Sequence, residues 1–232
     1  DILGEVRGVL PSQDWKRNYY KRPEQKKWYA GETISLGIGQ GYNSYTILQL
    51  AQATAVLASG GQRHRPHLVR EVVDVVDGQR RTVGREPMEP VSTRPEHLAV
   101  VRQALVGANR EGTSAGAFRG AAYSSGGKTG TAQVVGIKAN EKYNAAKLAE
   151  HLRDHALFMA YAPAEDPRIA VALVVENAGF GAQAAAPIAR RVFDYWLQGV
   201  VPAPEDLAAV QLGQATAPVR PPVPVPGKGA QP

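Results

Sequence analysis

Two runs of β-forming residues, Leu157–Ala162 and Ile169–Glu176, are separated by a short stretch that holds Pro163 and the Asp166-Pro167 pair. Proline cannot donate to a ladder, so neither run continues through the break, and the two read as successive strands of one sheet. Val171–Val175 is apolar throughout, the pattern of a strand covered on both faces. A chain containing such a strand needs further layers of structure above and below it.

Helical spacing supplies those layers. Ile47, Leu50, Ala51, Thr54, Leu57 and Ala58 recur on one face and Gly60-Gly61 stops the run, which predicts an amphipathic helix over 46–59. Thr93-Arg94-Pro95-Glu96 matches a capping box with proline in the first turn, and Leu98, Val101 and Leu105 give the helix that follows its buried stripe. A last helix places Ile188, Val192, Tyr195 and Trp196 on one face, with Gly199 just past its end. Val69–Val76 running into Asp77-Gly78 predicts a strand and a tight turn. Gly127–Val135 reads as a strand after a glycine pair, and Asn144–Asp154 as a short helix. The predicted fold class is therefore α+β, a largely antiparallel sheet covered by helices.

Composition bounds what remains. With 232 residues, 44% hydrophobic and 21% charged, wholesale disorder and fibrous repeats are excluded. No apolar run approaches about 18 residues and no basic-then-apolar leader occurs, so these residues neither cross a membrane as a helix nor form a signal peptide. Cysteine is absent, which removes disulfides, thiol catalysis and Cys-ligated zinc.

Residues 1–30 read as an irregular connecting segment, and Asp1-Ile2-Leu3-Gly4 as a passage from the middle of something longer. Trp15 to Arg22 mixes bases with aromatics, and the net charge is +6, a pattern compatible with single-stranded nucleic acid. No nucleic-acid-binding motif accompanies it, so a solvated loop anchored by its aromatics is the preferred reading and no nucleic-acid partner is expected. Eight of the 17 prolines fall after Val201, which makes 201–232 a mobile, polyproline-like tail and leaves 31–200 as the globular part.

The strongest candidate for chemistry is Lys128-Thr129-Gly130-Thr131, directly after Gly126-Gly127. Strand alternation sends Lys128 and Gly130 one way and Thr129 and Thr131 the other. All four can serve one ligand only if it lies along the strand's edge, where both faces and the backbone N–H groups are reachable. Gly130 leaves room for close approach, an extended peptide suits main-chain pairing, and an ammonium with two hydroxyls suits a carboxylate at that peptide's end. The competing reading is a turn followed by an exposed strand, and a tetrapeptide alone does not decide between them.

Lys-Thr-Gly-Thr resembles the third motif of penicillin-binding proteins and serine β-lactamases, which joins a Ser-x-x-Lys and a Ser-x-Asn/Asp motif. Gly37-Ile38-Gly39-Gln40-Gly41-Tyr42 resembles the Gly-Gln-Gly signature of the high-molecular-weight penicillin-binding proteins. Lys128–Gly136, the insert Lys138–Asn144, and Leu152-Arg153-Asp154-His155 leading into Leu157–Pro163 are similar to the elongation-specific, class B branch of that family. The resemblance extends from Asp1 to Gly199. Ile47 departs from it, since the family often has proline after Thr46, and this bears on how that helix starts.

The resemblance implies the penicillin-binding protein/serine β-lactamase-like fold and a peptidoglycan D,D-transpeptidase of the periplasm, active in cell elongation and a target of β-lactams. It implies no cofactor and no metal. Lys128 would supply positive charge near the substrate carboxylate, Thr129 and Thr131 would hydrogen-bond it, Gly130 would admit it, and the Thr131 N–H would form half of the oxyanion hole. Partners would be stem peptides ending in D-Ala-D-Ala, β-lactam antibiotics and a membrane glycan polymerase of the elongation machinery. An N-terminal membrane anchor would hold the protein at the periplasmic face of the inner membrane.

Two further readings stay open: a septal transpeptidase, D,D-carboxypeptidase or β-lactamase of the same superfamily, and a non-catalytic transpeptidase-like binding module. The insert over 138–155 argues against the carboxypeptidase and β-lactamase. A Ser-x-x-Lys upstream of Asp1 would separate enzyme from module.

Other polar residues carry less. Ser125-Gly126-Gly127-Lys128 satisfies Ser-x-x-Lys on paper, but its glycines argue against the helix that would put both side chains on one face. Ser12-Gln13-Asp14 reads as a turn or helix start. His151 and His155 have zinc-like spacing on the predicted helix yet lack a third ligand, and His64, His67 and His97 have no evident partners. On the resemblance, both upstream motifs precede Asp1. The 232-residue chain by itself is then expected to form no covalent penicillin adduct. Intact-mass spectrometry after incubation with a penicillin checks this, and an adduct mass on the chain contradicts it.

Overall fold

The computed structural model describes residues 1–136, 143–211 and 220–229. Helices α1 (Gln13–Tyr19), α2 (Pro23–Lys26), α3 (Ala30–Gly37) and α4 (Ile47–Ala58) come first. Four short strands follow, β1 (Arg63–His64), β2 (Glu71–Val73), β3 (Arg80–Thr82) and β4 (Pro87–Met88), then α5 (Pro95–Arg110) and α6 (Ala115–Phe118). The main sheet is built from β5 (Gly126–Ala132), β6 (His155–Ala162) and β7 (Ile169–Val175). After it come α7 (Gly181–Ala184), α8 (Ala186–Phe193), β8 (Val200–Val201), α9 (Pro204–Gln211) and β9 (Val223–Pro224).

The main sheet is antiparallel in the order β5-β6-β7, with Lys128 opposite Met159 and Phe158 opposite Leu173. Alternation along β6 builds two cores. Ala156, Phe158, Ala160 and Ala162 face Phe118 of α6 and Ala186, Ala189 and Phe193 of α8. Tyr161 and Met159 face Ala58 of α4 and Leu105 of α5 on the other side. The alanines let α8 lie close to the sheet, and the aromatics fill what is left. β7 is half-buried rather than covered throughout, with Val174 38% exposed, because it is an edge strand among the described residues.

The glycine pair lies inside β5, not before it. A Cβ on Gly126 would sit 2.6 Å from the Tyr161 ring, and one on Gly127 2.7 Å from Phe158 Cζ and 2.9 Å from Asn109 Oδ1. Two aromatic rings from β6, one on each face, therefore occupy the space of the missing side chains. Their packing delivers Lys128 to the surface immediately afterwards.

Several expectations are corrected. Residues 1–30 are not wholly irregular: Ser12 caps α1 through a hydrogen bond from the Trp15 N–H at 3.0 Å, and α2 begins on Pro23. The α5 helix starts at Pro95 after Arg94, with no side-chain cap, so Thr93 closes no box. β2 is three residues long, since Val75 and Val76 are exposed in the turn that leads to Gly78. Residues 144–154 form two 3-10 turns, Ala145–Lys147 and Glu150–Leu152, so His151 and His155 share no helix and His155 instead opens β6. The last helix changes to a π turn over Asp194–Gln198 before Gly199 takes a left-handed φ of 65°.

Nor are the described residues of the expected tail, 201–211 and 220–229, free of the rest of the fold. β8 pairs with β9, the buried Asp206 accepts hydrogen bonds from Arg220, and the Lys228 ammonium lies 3.3 Å from the Tyr195 ring centroid. Composition hid this because the anchoring partners are isolated residues far apart in sequence. The family-like insert over 138–142 lies outside the described residues.

Phe158 is almost wholly enclosed, at 1% exposure. Phe158→Ala is expected to lower the unfolding free energy by about 3–5 kcal/mol, read as a shift of the urea midpoint.

Candidate functional site

β5 hydrogen-bonds to β6 along one edge only; among the described residues no strand pairs with its outer edge. Lys128 through Thr131 therefore line an open rim. Lys128 is exposed and donates to the Thr129 carbonyl at 2.8 Å, and no carboxylate pairs with it among the described residues. Gln40 Nε2 donates to the Thr131 carbonyl at 2.5 Å. Since β6 fills the inner edge, Gln40 approaches from outside. In a strand the N–H and C=O of one residue point to the same edge, so the Thr131 N–H also faces the open rim.

Thr113, in the loop after α5, joins the two faces of this rim. Its hydroxyl lies 3.2 Å from that of Thr129, and it lines a groove of about 470 Å³ together with Lys128 and with Val101, Ala104, Leu105 and Ala108 of α5. Through Thr113, the groove that Lys128 lines on one face thus reaches Thr129 on the other. An extended chain ending in a carboxylate suits such a surface: ladder bonds to the main chain, charge from Lys128, hydroxyls from the threonines.

Buried polar groups hold the strand's entry. Asn109 Nδ2 donates to Ser125 Oγ at 2.9 Å, and the single Ser114 hydroxyl proton is shared between Asn109 Oδ1 at 2.7 Å and the Ala108 carbonyl at 3.0 Å. This network ties the end of α5 to the first residues of β5. Ser125 is 6% exposed and bonded within it, so the Ser125–Lys128 match to Ser-x-x-Lys presents no nucleophile. Gly181 at the start of α7 completes the packing: a Cβ there would lie 2.1 Å from the Leu157 carbonyl and 2.7 Å from that of Gly130.

On the other side, the basic and aromatic stretch is structural. Trp15 stacks on Tyr19 at 5.0 Å and packs tilted against Tyr42 at 5.3 Å. Lys16 is buried at 3% exposure, ion-paired with Glu32 and bonded to the Lys27 carbonyl at 2.7 Å. The Lys16 hydrogen bond, reinforced by the Tyr29 N–H, holds the Glu32 carboxyl below its ordinary range. Glu32 also accepts from the Tyr42 hydroxyl at 2.9 Å, which fastens α1 and α3 to the loop that carries Gln40.

Lys128, Thr129, Gly130 and Thr131 are brought together as the strand spacing requires. Gln40 and Thr113 were not assigned a part by sequence reasoning. The flanking glycines of Gln40, with φ of 79° and 71°, were a visible signal for a constrained turn, though not for its target 91 residues away. Thr113 carried no signal. Gly181→Ala is expected to displace β5 at Gly130 and lower the melting temperature by several degrees, as overpacking costs about 1–3 kcal/mol; differential scanning calorimetry checks it.

Residues 16–194 match the penicillin binding protein transpeptidase domain. The peptidoglycan D,D-transpeptidase MrdA of Haemophilus influenzae is 41% identical over 211 residues, which cover 87% of this chain and 31% of that protein. The crystal structure of Pseudomonas aeruginosa PBP2 in complex with WCK 5153 has a TM-score of 0.66 at 40% identity, covering 85% of this chain and 40% of that one. A chain in a structure titled structural coordination of polymerization and crosslinking by a peptidoglycan synthase complex has a TM-score of 0.61 at 32% identity, covering 82% of this chain and 29% of that one. The chain thus spans about a third of the length of the curated relatives it matches.

Proposed function

The chain belongs to the penicillin-binding protein transpeptidase family, of the PBP2 type, and on that footing we propose that its β5 rim is the substrate-binding edge of a peptidoglycan D,D-transpeptidase. The observation that carries the reading is the outer edge of β5, unpaired among the described residues, on which an exposed ammonium, two hydroxyls and the outward Thr131 N–H stand together.

A stem peptide ending in D-Ala-D-Ala lies along this rim as an added strand. The Lys128 ammonium supplies charge for its terminal carboxylate, and Thr129 and Thr131 hydrogen-bond it. The reading requires a nucleophilic serine and a base beside it, which Ser125, buried and bonded to Asn109, does not supply. Serine Oγ adds to the penultimate D-alanine carbonyl, and the negative charge forms on that oxygen, within reach of the Thr131 N–H. One such donor is commonly worth about 3–4 kcal/mol of barrier. Collapse breaks the peptide C–N bond, and free D-alanine leaves with the proton on its amine. The ester left behind is then attacked by an amine of a neighbouring stem, which forms the cross-link and returns the serine. β-Lactams occupy the same edge because they too pair a carboxylate with a reactive carbonyl.

The same reading puts the protein at the periplasmic face of the inner membrane, working with a membrane glycan polymerase of the elongation machinery. The partnership draws on the peptidoglycan synthase complex that holds a similar chain, and the location on the resemblance alone. In the full-length protein, Lys128→Ala is expected to reduce labelling by a fluorescent penicillin about tenfold or more. Unchanged labelling removes Lys128 from the site, and an unlabelled parent protein overturns the enzymatic reading.

A further inference from the structure

We propose that Gln40 is a positioning residue for this edge: its side-chain amide holds the Thr131 carbonyl and thereby aims the Thr131 N–H at the reacting oxygen. The proposal rests on the reading of β5 as a transpeptidase edge and names a part of that site outside the strand.

Three observations carry it. First, the contact is long in sequence and short in space. Gln40 Nε2 reaches the Thr131 carbonyl at 2.5 Å across 91 residues, on the one edge of β5 that no strand secures among the described residues. A carbonyl on an open edge is otherwise free to rock; it lies in the peptide plane after Thr131 and the N–H in the plane before it, and since only the Thr131 φ and ψ join the two planes, pinning the carbonyl narrows the range over which the N–H can turn. Second, Gln40 is itself held. Its N–H donates to the Ser35 carbonyl at 2.9 Å, and its own carbonyl accepts from Asn43 Nδ2 at 3.0 Å. Gly39 and Gly41 both take left-handed φ values on either side of it, so the loop is shaped to present this one side chain. Third, the loop is fastened at depth. Tyr42 bonds Glu32, which pairs with the buried Lys16, so Gln40 projects from a braced platform rather than a swinging loop.

The carbonyl has two lone pairs, so an amide N–H of an incoming peptide can share Thr131 O with Gln40. Gln40 therefore does not block the rim. It preorganises the residue whose N–H must meet negative charge as that charge develops, a role that affects the transition state more than substrate affinity.

The test uses the full-length protein and a chromogenic cephalosporin, with the acylation rate constant and the noncovalent dissociation constant measured separately by stopped flow. Gln40→Met keeps length and volume and removes the donor. Its acylation rate constant is expected to fall about 10- to 100-fold, with the dissociation constant within about twofold and the melting temperature unchanged. Gln40→Glu places an acceptor against the carbonyl and is expected to show the same split, and it decides the matter should the methionine variant fail to fold. Acylation at the parent rate in either folded variant overturns the proposal. So does a loss that falls entirely on the dissociation constant, since that would make Gln40 a binding group. If the parent protein is not acylated at all, the transpeptidase reading fails and the proposal fails with it.

Discussion

The antiparallel pairing of β5 with β6 is the constraint from which the site follows. It consumes one edge of the Lys128–Thr131 strand and leaves the other without a partner among the described residues. Register does the rest. Tyr161 opposite Gly126 and Phe158 near Gly127 require that no side chain stand at either position, so the strand enters buried and emerges polar within three residues. A shift of one residue would exchange the faces, turning Lys128 toward the core around Phe118 and Phe193 and leaving its ammonium buried without a counter-ion.

An open edge is ordinarily a liability, since unpaired backbone groups recruit other strands. Here it is met partly by side chains. Gln40 takes the Thr131 carbonyl and Lys128 the Thr129 carbonyl, both exchangeable bonds from flexible or polar groups rather than a continuous ladder. Such an edge stays receptive to an extended peptide while its geometry is maintained from behind by Asn109, Ser114 and Ser125.

The elements with strong periodicity were legible before any coordinates. The helix at 46–59, the strands at 157–162 and 169–176 and the break at Gly199 all rest on local patterns, and they appear within a residue or two at most ends. The failures share a cause. Residues 144–154 have helical composition, but the Asp154 N–H donates to the Tyr143 hydroxyl, closing the segment's ends on each other, and the Asp154 carboxylate accepts from Val134; the segment settles as two 3-10 turns. The proline-rich end reads as mobile because what anchors it is single residues, Asp206 to Arg220 and Lys228 over Tyr195, which no window average detects. Thr93 fits a capping pattern, yet Pro95 sets the start one residue later than a Thr93 cap would, and its fixed φ suits the first helical turn without help from a cap.

Local chemistry singles out the candidate residues: an ammonium, two hydroxyls and a side-chain-free position on one extended segment can be read from four letters. Whether they face solvent, a core or another strand depends on pairing partners tens of residues away, and so does the arrival of Gln40 and Thr113 beside them. Alternation is a property of neighbouring residues and survives without context. An open edge, a capped carbonyl and a groove against α5 arise only when separate segments close on one another, and that closure is decided by the packing of Phe158, Tyr161 and the alanines of α8.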